Sequence, residues 1–270
     1  MRIGSRDFAT TGHTYIMGIL NVTPDSFSDG GKFNQIDAAL KHAEEMIRDG
    51  ADVIDIGGES TRPWGYTKIS DEEETGRVVS VIEAVKKEFG IPTSVDTYKS
   101  GVAEAAAQAG ADLINDIWGL KYDARMAEVI AKSGLACCLM HNRDNTEYRN
   151  FMEDMKQDLR ETIALAKAAG IVDDKIILDP GVGFAKSYEN NLEVIRRLKE
   201  FNELKYPVLL GTSRKSVIGL TLDLPAAERV EGTIVTTVMA VEAGCMFVRV
   251  HDVKENHRAI QMAEAILDRK

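Results

Sequence analysis

Along the chain, stretches with apolar residues at helical spacing end on glycine, turn within a few residues, and give way to short apolar runs that stop on a polar side chain. Gly50 precedes a run ending at Asp55, Gly90 one ending at Asp96, and Gly110 one ending at Asn115 and Asp116. Gly170 leads to Asp179, and Gly244 leads to Arg249 and His251. Glycine suits the left-handed residue just past a helix C-terminus, and a brief, uniformly apolar run suits a strand buried on both faces. Helix-period patterns cover 37–49, 71–89, 99–109, 123–133, 148–169, 187–204, 225–243 and 253–268. Ser70 and Glu73 are spaced for a capping box at the second of these. With strands near Tyr15, Val53, Thr93, Leu113, Leu135, Ile176, Val208 and Phe247, the pattern predicts about eight βα units, the count of a TIM (β/α)8 barrel. A doubly wound sheet would show fewer strands and a glycine fingerprint opening its first helix, and none is present.

A barrel gives this pattern a direction, because barrel enzymes build their sites from the C-terminal ends of the strands. Those ends carry Asn21, Asp55, Asp96, Asn115, Asp116, His141, Asp179, Lys215, Arg249 and His251, which are expected to converge on one mouth. The first strand opens into a long polar loop, NVTPDSFSDGG. Thr23, Asp25, Ser26, Ser28 and Asp29 offer oxygens suited to a hard cation or hydrated phosphate, and Gly30 and Gly31 permit sharp turns. A loop of this length more often handles a ligand than merely connects, although a solvated turn accounts for its composition equally well.

Composition narrows the field. The 270 residues, with no Pro/Gly/Ser-rich divide, fit one domain spanning 1–270. A net charge of −10 and a pI near 5.1 disfavour nucleic acid or an anionic membrane as partner, since both need a basic face. No apolar run reaches spanning length and the first residues lack a signal-peptide core, so a cytoplasmic protein is expected. Cys137, Cys138 and Cys245 lie in apolar strand patterns and read as buried, reduced thiols.

The chemistry follows from the polar strand ends. Asp96, Asn115 and Asp179 terminate separate apolar runs, where a carboxylate needs a partner. Carboxylates beside an amide can grip a planar heterocycle through parallel hydrogen bonds, or simply satisfy one another. Asp55, within the strand, is read as bonding to neighbours inside the barrel. Lys215, after the run at Val208, is either a hydrogen-bonding cation or a Schiff-base amine; nearby acids favour its charged form and the first reading. Arg249 and His251 share strand parity and so form a candidate diphosphate clamp. Thr61 and Ser216 offer hydroxyls, and Pro63 and Phe184 apolar surface for a second ligand. GxSxG, HExxH and P-loop motifs are absent, which counts against serine hydrolases, zincins and P-loop ATPases.

Taken in order, NVTPDSFSDGG, GGESTRP, SVDT, IND, LDPGVGFAK, GTSRKSVIG and RVHD resemble the dihydropteroate synthases from about Met17 to Asp252. That family couples 6-hydroxymethyl-7,8-dihydropterin pyrophosphate to 4-aminobenzoate, releasing pyrophosphate and 7,8-dihydropteroate for folate synthesis. The resemblance implies a pterin site of Asp96, Asn115, Ile117, Met140, Asp179, Lys215 and Arg249. It implies pyrophosphate contacts from Asn21, Thr61, Arg249 and His251, with Mg2+ as cofactor met by Asn21 and Asp25. It further implies a 4-aminobenzoate site of Thr61, Pro63, Phe184, Lys215 and Ser216, a catalytic loop set of Asp25, Phe27, Asp29 and Arg62, a homodimer, and sulfonamides as mimics of the second substrate. The chain departs from the family's usual pattern at Asn142-Arg143 and at Trp64-Gly65-Tyr66, beside the pterin and 4-aminobenzoate sites respectively. The nearest alternative is the pterin-binding part of a methyltetrahydrofolate-corrinoid methyltransferase, which has less need of the Arg249/His251 pair. A Schiff-base aldolase using Lys215 and an idle pterin-binding scaffold are the other rivals.

Overall fold

After a hairpin of β1 (Arg2–Ile3) and β2 (Arg6–Asp7), strands and helices alternate along the chain. They are β3 (Tyr15–Asn21), α1 (Lys32–Asp49), β4 (Val53–Gly57), α2 (Asp71–Phe89), β5 (Thr93–Asp96), α3 (Ser100–Gln108), β6 (Leu113–Asp116) and α4 (Met126–Ser133). There follow β7 (Ala136–Met140), α5 (Phe151–Ala168), β8 (Ile176–Asp179), α6 (Tyr188–Arg196), β9 (Leu209–Leu210), α7 (Ser216–Leu222), α8 (Val230–Ala243), β10 (Phe247–Val250) and α9 (Val253–Ile266). The computed structural model describes residues 1–22, 32–59 and 68–269, with backbone only for 32–34.

The eight later strands are all parallel, in the order β8-β7-β6-β5-β4-β3-β10-β9. A parallel bridge between Leu178 and Val208 joins the two ends, so the sheet closes into the expected barrel. Alternation along each strand sorts side chains into two layers. Ile16, Ile54, Ile114, Leu139 and Val248 pack outward with helix residues such as Val78, Val102 and Leu159. Tyr15, Met17, Val53, Leu113, Cys138, Ile177, Leu209 and Phe247 form a separate cluster, which fills the interior. Ile3 and Phe8 join that cluster, so the N-terminal hairpin plugs the lower end of the barrel. Nothing in the sequence pattern announced the hairpin, because its strands are two residues each.

The glycines that end the helical patterns behave as expected: Gly90 and Gly244 take φ of 63° and 84° and close α2 and α8. The expected capping box is half formed. Ser70 accepts from the Glu73 N–H, but the Glu73 carboxylate turns to Arg77 at 2.5 Å instead. Helix α1 starts at Lys32, before the anticipated 37. The pattern over 187–204 breaks into α6 and a 3-10 turn, and α7 was not anticipated, because seven residues hold too little of a helical period to register. All three cysteines are buried free thiols. Among the described residues, no helix is long and apolar enough to cross a membrane.

Candidate active site

The inward parity that fills the lower barrel with apolar groups delivers polar ones higher up. Two residues above Val53 comes Asp55, two above Leu113 comes Asn115, two above Ile177 comes Asp179, and two above Phe247 comes Arg249. Asp96, at the end of β5, pairs in register with Gly57 on one side and Asn115 on the other.

Arg249 organises this tier. Its Nε donates to Asp55 Oδ2 at 2.5 Å and its Nη2 to Asp96 Oδ2 at 2.6 Å, while Asn115 Nδ2 donates to Asp55 Oδ2 at 3.3 Å. The expectation that Asp55 bonds to its neighbours therefore holds, and its neighbour includes the cation of the supposed clamp. Among the described residues, Asp96 Oδ1 and Asp55 Oδ1 are buried without a hydrogen-bond partner. A buried carboxylate oxygen at the mouth with no such partner can accept from a donor such as an amidine-like N–H. Burial pushes the Asp96 carboxyl up to about 7 against the Arg249 charge, with Asp55 and Glu74 adding to the rise.

The opposite side of the mouth gathers around Gly211, the residue after β9. A Cβ there would sit 3.5 Å from Asp179 Oδ2, 3.8 Å from Lys215 Nζ and 4.0 Å from Arg249 Cβ. Asp179, Lys215 and Arg249, from three separate βα units, thus border one space. Gly57 plays the same part near Asp96, with Asn21 Oδ1 and Asp96 Cβ each 3.6 Å from its missing Cβ. Asp179 Oδ1 accepts the Gly181 N–H at 2.7 Å. Lys215 Nζ donates to Val182 O at 2.6 Å and lies 4.8 Å from the centre of the Phe184 ring. Its charge is not favoured in the way the sequence implied: burial lowers its pKa to about 8, outweighing Asp179 and Asp96, and Arg249 pushes the same way.

Apolar walls complete the mouth. Tyr98, Ile117 and Met140 form a small buried cluster, with Trp118 and Phe184 packed against it. Two of the expected groups face elsewhere. Asp116 accepts the N–H groups of Trp118 and Leu120 at 2.8 and 2.7 Å and shapes the loop after β6, because its parity is opposite to that of Asn115. His141 follows inward-facing Met140 and turns outward to Asp158 on α5 at 2.9 Å. His251 hydrogen-bonds Ser213, whose hydroxyl lies 3.0 Å from Nδ1 and accepts the His251 N–H at 3.1 Å. Ser216 is exposed at the first residue of α7. Thr61, Arg62, Pro63, the Trp64-Gly65-Tyr66 segment, and Thr23, Asp25, Ser26, Phe27, Ser28 and Asp29 lie outside the described residues.

Sequence reasoning passed over a second buried network. Glu59 accepts from Tyr98 Oη at 2.5 Å, Lys99 Nζ at 2.8 Å and Ile69 N at 2.9 Å, and Lys99 also meets Glu74 at 2.7 Å. The one available signal was the position of Lys99, three residues after Asp96 at a strand-to-helix junction. A metal has less to hold it: among the described residues, no cluster of three His, Cys, Asp or Glu could bind an ion. The Asn21 amide oxygen, at the mouth, is a hard donor of the kind Mg2+ takes.

A family model described as pterin binding enzyme matches residues 17–251. The dihydropteroate synthase of Clostridium beijerinckii is 62% identical over 270 residues, which covers all of both chains. The chain belongs to the dihydropteroate synthase family. A dihydropteroate synthase from Clostridium difficile, solved in the presence of pteroic acid, superposes with a TM-score of 0.93 at 52% identity over the whole of both chains. The Yersinia pestis dihydropteroate synthase, solved with a sulfonamide drug, gives 0.92 at 42% identity over 99% of each. Both solved relatives superpose over essentially the whole barrel.

Proposed function

We propose that this chain condenses 6-hydroxymethyl-7,8-dihydropterin pyrophosphate with 4-aminobenzoate, giving 7,8-dihydropteroate and pyrophosphate on the route to folate. The observation that carries the reading is the convergence of Asp179, Lys215 and Arg249 around Gly211, facing Asp96 with its orphaned oxygen. Asp96, Asn115 and Asp179 grip the polar edge of the pterin, Ile117 and Met140 line its face, and Lys215 hydrogen-bonds the ring. Arg249 and His251 hold the pyrophosphate with Asn21 and Thr61.

The carbon–oxygen bond to pyrophosphate breaks first, and the bonding electrons leave with the pyrophosphate, whose charge Arg249 and His251 stabilise. The electron-rich pterin shares the positive charge left on its methylene carbon, and Asp96 and Asp179 favour that cation, each charged hydrogen bond contributing roughly 1.5–3 kcal/mol. The amine of 4-aminobenzoate, bordered by Phe184, Lys215, Ser216, Pro63 and Thr61, then forms the carbon–nitrogen bond and gives up a proton. Asp25, Phe27, Asp29 and Arg62 serve to exclude water from the cation. Asn21 offers the protein oxygen for Mg2+, which when bound neutralises charge on the departing group.

The test is to mix the protein with Mg2+, the pterin pyrophosphate and 4-aminobenzoate and to follow both products. Stoichiometric 7,8-dihydropteroate and pyrophosphate are expected. Pterin binding without pyrophosphate release would mark an idle scaffold, and methyl transfer from methyltetrahydrofolate to a cobalamin protein would replace the reading. Sulfonamides are expected to compete with 4-aminobenzoate. A homodimer is part of the same reading, supported by exposed Leu220, Val235, Met262 and Ile266 on α7, α8 and α9. Buried reduced thiols at Cys137, Cys138 and Cys245 support a cytoplasmic setting.

A further inference from the structure

Lys186 ends the loop that follows β8, and its amine is turned back beneath that loop. Its Nζ lies 2.9 Å from Gly181 O, 2.9 Å from Phe184 O and 3.0 Å from His141 Nδ1. The far end of this set fixes the proton positions. Asp158, which also accepts Arg143 Nε at 2.5 Å, lies 2.9 Å from His141 Nε2. Burial works against its charge, but hydrogen bonds from His141 and Arg143 hold its carboxyl well below the usual carboxylate range. A carboxylate only accepts, so Nε2 carries the hydrogen. Burial, with the Lys186 charge adding to it, lowers His141 to about 4, so the imidazole is neutral and Nδ1 is an acceptor. All three neighbours of Lys186 accept, so its ammonium, whose pKa burial lowers to about 7, donates three times and uses every N–H.

Among the described residues, no carboxylate accepts a hydrogen bond from Lys186; the charge of Asp179 supports its ammonium most, and that of Asp158, reached through a neutral ring, supports it from the other side. Holding an ammonium in such a place is costly, and what the cost maintains is the shape of the loop. The other backbone groups of the loop are tied as well. Gly183 N donates to Asn191 Oδ1 at 2.6 Å, Ala185 O accepts from Tyr148 Oη at 2.8 Å, and Val182 O accepts from Lys215 Nζ at 2.6 Å. Ala185 is held at φ 47°, a left-handed conformation that a non-glycine residue adopts only under constraint.

We propose that Lys186 is a positioning residue for the second substrate: by tying the carbonyls of Gly181 and Phe184 together, it fixes the Phe184 ring and the Val182 carbonyl against Lys215. Asp158, through His141, braces the ammonium from the outer layer of the barrel. The proposal rests on the reading that Phe184 and Lys215 border 4-aminobenzoate.

Steady-state kinetics with each substrate varied in turn test it, using Lys186→Met, Asp158→Asn and Phe184→Ala. Lys186→Met is expected to raise the KM for 4-aminobenzoate by at least about tenfold, while the KM for the pterin pyrophosphate stays within about threefold. Asp158→Asn, a milder change, is expected to raise the 4-aminobenzoate KM by about two- to fivefold, and it carries the test if Lys186→Met does not fold. A fall in kcat alone, or an equal rise in both KM values, would make Lys186 a merely structural residue and overturn the proposal. Phe184→Ala separates the two levels. If it leaves the 4-aminobenzoate KM unchanged, the subsite reading fails and takes the proposal with it; if it raises that KM while Lys186→Met and Asp158→Asn do not, only the role of Lys186 is refuted.

Discussion

The guanidinium of Arg249 donates to the carboxylate of Asp96 at 2.6 Å, so the cation that would meet pyrophosphate and an acid that would hold the pterin are bound to each other. The contact uses Asp96 Oδ2 and leaves Oδ1 buried and unpartnered among the described residues. Asp96→Asn keeps the shape but loses the charge that holds both Arg249 and a ligand donor. A fall in kcat/KM for the pterin pyrophosphate of at least about tenfold is expected, the lower end of what a charged hydrogen bond is worth. Unchanged kinetics would remove Asp96 from the site.

Arg249 also matters to the fold. Arg249→Met leaves Asp55 and Asp96 side by side without their cation, and losing one partner of a buried ionic group costs about 3–5 kcal/mol. The deficit depends on pH. The Asp96 pKa is raised in the folded protein and would rise further without Arg249, so its contribution is intact below the ordinary carboxylate range and lost as pH rises through the folded value. Urea denaturation is therefore expected to show a larger gap between wild type and variant at about pH 8 than at about pH 5. An equal gap at both would mean that Asp96 carries no such charge.

Activity should have a narrow pH window. Asp96, pushed up to about 7 chiefly by burial, must be ionised to hold the pterin, so kcat/KM is expected to fall as pH drops below that value. Lys215, lowered to about 8 by burial, loses its charge above that, so kcat/KM is expected to fall again on the alkaline side. The acid limb belongs to the Asp96–Arg249–Asp55 cluster as a whole. Lys215→Arg should move the alkaline limb upward, because a guanidinium does not titrate there. A profile flat from about pH 6 to 9 would contradict both assignments.

Gly211 offers a steric test. A methyl group there meets Asp179, Lys215 and Arg249 at ordinary contact distances of 3.5 to 4.0 Å, so Gly211→Ala should fold normally. It would nonetheless stand in the space those three groups border, and the KM for the pterin pyrophosphate is expected to rise by about tenfold or more. A loss of thermal stability without a KM change would show that the space is packing volume and not a binding site.

The order of strands and helices and most of the mouth were legible in the chain, because both follow from local rules. A glycine at the end of each helical pattern and a polar residue at the end of each apolar run are choices made within about ten residues, and strand parity carries Asp55, Asn115, Asp179 and Arg249 inward without further information. The expectation that Asp116 faces the mouth overlooked that parity, since it stands one position from inward-facing Asn115, and His141, whose direction the sequence left open, turns outward one position after Met140. The tertiary structure alone decided who bonds to whom. Arg249 meets Asp55 and Asp96 across 194 and 153 residues, and Lys186 reaches Asp158 through a histidine 45 residues away, so no spacing in the sequence could express these partners. Protonation was hidden for the same reason: the sequence supplies Lys215 with acids, but only the closed barrel supplies the burial that outweighs them.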